Sequence, residues 1–303
     1  MSGTYAAPLD GAHALGAFAA LGSAASWALG SVLFKRLGDA LPPVALTAAK
    51  GMTGAAMFAL VLRPLMLRPM TPGALLLLVL SGLLGIAAGD TLFFMALNRL
   101  GAQAVVLLLT LGQVLTVLLA VAWLGERPEP LGWAGIALVT AGVTAVMWLR
   151  LRGEAGRSEL PGVFCGLAAV VCMAVATIIA KQAMDAGSNS AQATLVRMVA
   201  GTAGALLLGA ASGQRVGSLR PLLVPRFAGF FLLSVAVVTF GGFWLSLLAI
   251  NLAGVAVANT LGSLEPVLVL PFAAALLRER ITLPVLAGSL AATTGVVLLA
   301  GPW

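Results

Sequence analysis

Charge is scarce in this chain. Ten acidic and 17 basic side chains among 303 residues make 9% charged residues, against 61% hydrophobic ones, where soluble domains carry roughly a quarter charged. A chain so poor in charge belongs in a bilayer. Histidine is limited to His13, outside any long apolar run, and no Asp-rich or His-based ligand motif occurs. The metal or acid-base cluster of an integral-membrane, lipid-modifying enzyme is therefore missing; no enzyme, metal or cofactor is expected. Cysteine is limited to Cys165 and Cys172. Seven positions apart in one apolar run, their Cα atoms on a helix lie about 10 Å apart, beyond disulfide reach. The basic residues are scattered singly at the ends of apolar runs, so the clustered patch of a nucleic-acid binder is absent. No Walker-type GxxxxGK[ST] occurs, which excludes ATP-driven transport by this chain alone. Nor does any Lys or Arg precede the first apolar run, so the basic n-region of a cleaved signal peptide is lacking and that run is expected to stay.

What the chain has in abundance is apolar runs of about the 20 residues that cross a hydrocarbon core of ~30 Å. Spans are expected near 14–34, 44–62, 74–97, 102–124, 131–149, 161–182, 191–211, 227–250, 254–277 and 283–301. The expected class is all-α integral membrane, with ten transmembrane helices. No connection is long enough to fold independently, so the lipid bilayer is its surrounding and a monomer its expected state.

The spans repeat. Asn98, Gly101, Leu108, Leu111, Val114, Leu115, Leu124, Glu126, Arg127, Gly135 and Gly142 recur, 153 residues on, as Asn251, Gly254, Leu261, Leu264, Val267, Leu268, Leu277, Glu279, Arg280, Gly288 and Gly295. Upstream the shift drifts to 146, which pairs Lys35 with Lys181 and Asp39 with Asp185, and then to 147, which pairs Lys50 with Arg197. Two units follow, 1–152 and 153–303, each of five spans. An odd number of spans turns the second unit over relative to the first, the inverted-repeat architecture of secondary transporters, whose two halves alternate access to a site between them. Small residues at helical spacing, such as Gly22, Ser26 and Gly30, and Gly85 and Gly89, are expected to be close-packing faces.

Ser26-Trp27-Ala28-Leu29-Gly30 with Lys35 in the first span, Lys50 and Arg197 near the starts of the second and seventh, the run from Gly82 to Glu129 containing Leu124-Gly125-Glu126, and Ser263-Leu264-Glu265-Pro266-Val267 in the ninth together resemble the drug/metabolite transporter superfamily, specifically its ten-helix, EamA-like members. The resemblance covers nearly the whole chain. It implies a substrate path between the halves and export of small metabolites, with amino-acid exporters of the YddG type as near relatives. The acidic residue that serves the superfamily's small multidrug branch in its first helix has no counterpart here, which speaks against cationic drug export through such a group. The resemblance also puts both termini in the cytoplasm of a bacterium, with the chain in the cytoplasmic (inner) membrane. The loop charges disagree, since Lys35, Arg36, Arg99, Arg150, Arg152, Arg157, Arg215, Arg220, Arg226, Arg278 and Arg280 fall opposite the termini, the reverse of the positive-inside pattern.

Ionisable residues within spans are costly and face a partner or a cavity. Four qualify: Lys50, Asp90, Arg197 and Glu265. Two ion pairs are expected, Lys50 with Asp90 and Arg197 with Glu265, one per half. They serve either as helix ties or as contacts to a zwitterionic substrate and its gate; Lys50 can also snorkel toward the interface. Pro266, next to Glu265, and Pro271 remove helix hydrogen bonds and point to a kinked, movable ninth span. Around the cavity that the family has, Trp27, Phe93, Phe94, Phe240, Phe243 and Trp244 would supply apolar walls, and Gln113, Thr110, Asn259 and Ser263 placed polar groups, a mixture suited to an amphipathic solute. Glu126-Arg127 and Glu279-Arg280 close the fourth and ninth spans as helix-end charges, with a shared gate as the second reading. The expected function is secondary transport that exports amino acids or related small metabolites by alternating access. The alternatives are a lipid-modifying enzyme, an exporter of other metabolites or drugs, and a channel or scaffold.

Overall fold

The computed structural model describes residues 11–62, 69–115, 118, 130–152, 156–211, 213 and 216–299. Among them every regular element is helical. Ten apolar helices follow one another: α1 (Gly11–Gly38), α2 (Pro43–Leu62), α3 (Pro72–Leu100), α4 (Ala102–Leu115), α5 (Pro130–Arg152), α6 (Gly156–Asp185), α7 (Ser190–Ala211), α8 (Pro225–Gly254), α9 (Val257–Leu277) and α10 (Leu283–Leu299). Eight are long and apolar enough to span a membrane, and α4 and α10 are shorter apolar helices. The expected all-α membrane architecture holds. Several helices outrun their expected bounds, α1 to Gly38 and α6 from Gly156 to Asp185, because hydropathy marks only the part inside hydrocarbon, whereas the helix continues until a turn residue stops it. The expected stretch of α4 beyond Leu115, with Glu126 and Arg127, lies outside the described residues.

Local chemistry sets the helix ends. Thr71 caps α3 by accepting from the Ala74 N–H at 3.2 Å, with Pro72 in the first turn. The α3–α4 and α8–α9 corners turn on Gly101 (φ 80°, ψ 171°) and Gly254 (φ 81°, ψ 168°), a conformation that a Cβ disfavours. These two glycines are 153 residues apart, so the sequence repeat is also a repeat of backbone shape. The i, i+4 ion pairs Lys35–Asp39 and Lys181–Asp185, at the C-terminal ends of α1 and α6, also repeat, 146 residues apart.

The packing follows that symmetry. Helix α1 lies against α8 and α6 against α3, while α2 meets α7, α4 meets α9 and α5 meets α10, which are the contacts that an axis exchanging the halves requires. Without a hydrophobic drive between helices in lipid, close approach depends on small side chains. The Gly22/Ser26/Gly30 face of α1 packs on α8 as expected, against Leu245, Gly241 and Val238 respectively, and the Gly85/Gly89 face of α3 packs on Ala176 and Met173 of α6. Helices α5 and α10 meet through the repeated glycines themselves, Gly142 against Gly288 and Gly135 against Gly295.

Two irregularities are also doubled. Helices α3 and α8 widen into π turns over Leu83–Asp90 and Val237–Trp244, segments that match to within one residue under the 153-residue shift. Helices α4 and α9 break at Thr110 and at Ser263, again 153 apart: the Thr110 hydroxyl donates to the Leu107 carbonyl (2.6 Å) and the Ser263 hydroxyl to the Thr260 carbonyl (2.5 Å). Each hydroxyl competes with the backbone for a helix carbonyl. Discontinuous helices and π bulges of this kind gather at binding sites.

A Cβ at Gly295 would lie 2.7 Å from Val139 Cγ2 and 2.8 Å from the Gly135 carbonyl, so Gly295→Leu is expected to lower stability by about 1–3 kcal/mol. Gly229→Ala, with open space around it, is expected to leave stability unchanged or raise it by up to about 1 kcal/mol. Thermal denaturation of the purified protein in detergent compares the two.

Candidate functional site

The irregular stretches of α3, α4, α8 and α9 surround a cavity of about 240 Å³ between the halves, floored and walled also by α1, α6 and α7. Of the residues expected around such a cavity, Trp27, Asp90, Phe93, Gln113, Arg197, Phe243, Asn259 and Glu265 do line it. The aromatic wall is built by contact: Trp27 meets Phe243 edge-on at 4.9 Å between ring centroids. The expectation passed over Ser23, Ser31, Met173, Thr177 and Ser246, which also line it. Ser23, Trp27 and Ser31 recur every four residues on α1, one stripe round from the glycine face, so helical periodicity held the signal. The hydroxyls of Ser23, Ser31 and Thr177 are bonded to the carbonyls of Gly242, Trp27 and Met173, and serve chiefly to make the wall compact.

The other candidates stand behind the wall. Phe94 is buried between Phe34 and Phe93, each at 5.3 Å. Phe240 stacks on Phe58 at 5.6 Å, and Trp244 meets the same ring edge-on at 6.0 Å. Thr110 and Ser263 are buried with their hydroxyls committed to the helix breaks. The Ser263 carbonyl accepts from the Thr293 hydroxyl at 2.7 Å, which ties the break to α10. Pro266 is buried in the first turn of the second segment of α9, whose first residue is Glu265. Proline has no N–H to satisfy there, so Pro266 starts a helix rather than kinking one.

Lys50 and Asp90 form the expected ion pair. Both are buried, Lys50 to 2% exposure, and the ammonium also lies 4.8 Å from the Phe243 ring centroid and 5.3 Å from that of Phe94. Two aromatic faces and one carboxylate around an ammonium replace the water it has lost. This Lys does not snorkel.

The expected partnership of Arg197 with Glu265 is overturned. Arg197 makes no ion pair or hydrogen bond among the described residues, and its buried Nε has no acceptor; its electrostatic neighbour is Asp90. Glu265 is half-buried, with its free surface on the cavity, and has no cation within ion-pair distance among the described residues. The pairing was inferred from the two spans starting on one face. That places both residues at similar depth but leaves the rotation of each helix undetermined.

At the face reached by the C-terminal ends of α1, α3 and α9, the halves are tied directly. The Arg36 guanidinium donates to the Leu276 carbonyl. Glu279 accepts from the N–H groups of Ala102 (3.0 Å) and Gln103 (3.4 Å), capping α4 of the first unit with a carboxylate from the second. Helix capping was the expected role of Glu279, but its target across the unit boundary was not legible. Arg150, bonded to Glu159 and to the Leu100 carbonyl, completes this face. No group of three or more His, Cys, Asp or Glu side chains that could hold a metal ion occurs among the described residues.

The sequence profile of the EamA-like transporter family matches residues 14–148 and again residues 160–301. The chain belongs to the EamA-like transporter family. Like other EamA-like proteins it is a multi-pass membrane transporter built from two repeats. No curated protein is similar enough in sequence to match. Among solved structures, one described only as the crystal structure of a protein superposes over 97% of this chain and 98% of its own, with a TM-score of 0.61 at 20% identity. At that identity the likeness concerns the fold, which this EamA-like chain shares across both repeats.

Removing one member of the Lys50–Asp90 pair leaves the other charge buried alone. Lys50→Met or Asp90→Leu is expected to cost about 3–5 kcal/mol, and the double replacement K50M/D90L much less than the sum. A thermal double-mutant cycle on purified protein reads this directly; additive losses would show that the two side chains do not depend on each other.

Proposed function

We propose that this transporter exports amino acids or related small metabolites across the bacterial cytoplasmic (inner) membrane, as a monomer, by alternating access between the units 1–152 and 153–303. The observation that carries the reading is the cavity between the units, where Trp27, Phe93 and Phe243 supply apolar area and Asp90, Gln113, Arg197, Asn259 and Glu265 supply polar groups. Drug-sized ligands fill pockets of about 300–1,000 Å³, so a cavity of about 240 Å³ suits a smaller, amphipathic solute.

Alternating access is supported by the uneven ends of the cavity. Its lining on α7, α8 and α9 comes from Arg197, from Phe243 to Ile250 and from Ala258 to Glu265, the portions of those helices nearest the face where α7 and α9 begin and α8 ends. The opposite face is where Arg36 and Glu279 tie one unit to the other. A cavity displaced toward one face, with polar ties at the other, between pseudo-symmetric halves, fits one of the two states that an inverted repeat can interconvert. The mixed chemistry of the lining and the absence of a metal-ligating cluster among the described residues fit transport without a chemical step.

Counterflow in proteoliposomes tests the function. Vesicles loaded with unlabelled amino acids, singly across an aromatic, aliphatic and small polar panel, are expected to accumulate the matching labelled amino acid saturably. Empty-vesicle rates across the whole panel would end the amino-acid reading.

A further inference from the structure

The symmetry of the molecule is broken at one charge. Lys50 and Arg197 occupy matching positions on α2 and α7, yet only Lys50 has its counter-ion in contact. The 153-residue shift that superposes Gly89 on Gly242 and Gly101 on Gly254 carries Asp90 onto Phe243, within the matching π turns of α3 and α8. The second unit thus has the cation and lacks the carboxylate. Arg197 is left 7% exposed with its Nε donor unpartnered, on the wall of the cavity. Asp90 lies near enough to act on it electrostatically but is bonded to Lys50. A guanidinium so placed is a planar set of donors whose geometry matches a carboxylate.

Two groups of the opposite character line the same cavity. The amide oxygen of Gln113 is buried without a donor, and the Glu265 side chain has no cation beside it among the described residues. They follow directly on the Thr110 and Ser263 breaks in α4 and α9, and the repeat places them one residue from equivalence. The cavity therefore has a donor pole without an acceptor and an acceptor pole without a donor, flanked by the Trp27–Phe243 aromatic pair.

We propose that Arg197 binds the carboxylate of the transported solute, in the place that Asp90 occupies opposite Lys50, and that Gln113 and Glu265 receive its ammonium group. The ligand class is a free α-amino acid with an apolar or aromatic side chain. This rests on reading the cavity as the substrate site. It adds that a carboxylate is required and which residue requires it.

The probes are L-phenylalanine, L-phenylalaninamide, which keeps the ammonium and loses the carboxylate, and 3-phenylpropionate, which does the reverse. Each is scored by thermal stabilisation of the full-length protein in detergent and by counterflow. L-phenylalanine is expected to stabilise and to be transported, 3-phenylpropionate to bind at least ten-fold more weakly, and the amide not to compete. Arg197→Lys, which keeps charge but loses the fork, is expected to weaken L-phenylalanine at least ten-fold, and Arg197→Gln to abolish its binding. Should R197Q fold poorly, Phe243→Asp provides a second route: it puts a carboxylate on the cavity wall at the position that matches Asp90, where it would compete with the solute carboxylate for the buried cations, and is expected to lose L-phenylalanine binding well beyond the Phe243→Leu control. Equal binding of the amide and the acid, unchanged L-phenylalanine affinity in folded R197Q, or F243D no weaker than F243L would each overturn the assignment while leaving a working transporter. A wild-type protein that neither binds nor transports any of the three probes or any panel amino acid would overturn the reading of the function and this assignment with it.

Discussion

Inside a hydrocarbon core, every charge and every hydrogen-bonding group has to find its partner within the protein, because no water is there to supply one. That constraint orders this molecule from backbone to cavity. Helices satisfy almost all of the backbone. The ends and breaks that they leave are met by specific groups: Thr71 at the start of α3, Glu279 at the start of α4, and Thr293 on the carbonyl of Ser263. Lys50 and Asp90 satisfy each other. Arg197, Gln113 and Glu265 are left with unmet polar capacity on the wall of the cavity, where there is room for a solute.

The same scarcity of polar interaction explains how the helices hold together. Lipid tails are as apolar as leucine, so association depends on close contact, and the glycines sit where contact is closest: Gly30 on Val238, Gly142 on Gly288, Gly295 on Gly135. Because these contacts come in pairs related by the repeat, the two units present matching surfaces to each other. The polar ties from Arg36 and Glu279 join the two units at the face where α1, α3 and α9 end.

Much of the fold was legible in the residue order. Composition and span length indicated ten apolar helices, and the recurrence of Asn98, Gly101 and Gly135 as Asn251, Gly254 and Gly288 indicated two units. Matching backbone angles at Gly101 and Gly254 and matching breaks at Thr110 and Ser263 follow that recurrence. The site was legible in part. Lys50 and Asp90 could be paired because two neighbouring spans fix the depth of each. Arg197 and Glu265 were paired on depth alone, and the rotation of α7 and α9 separates them. Phe94, Phe240 and Trp244 turned out to be packing for Phe34 and Phe58, since an aromatic residue in an apolar span carries no mark of whether it faces a cavity or a neighbour.

The sequence by itself determined that this is an all-helical membrane protein, that it consists of two inverted units, and which four ionisable residues lie within its spans. Each of these depends on properties that add along the chain: hydropathy over a length, identity at a fixed offset, and the number of crossings. The tertiary structure alone decided that Arg197 and Glu265 do not meet. Contact between side chains on different helices depends on how each helix is turned about its axis and where its turns widen or break. In α3 and α8 a π turn, and in α4 and α9 a hydroxyl that takes a helix carbonyl, reset that rotation just where Asp90, Phe243, Gln113 and Glu265 are placed.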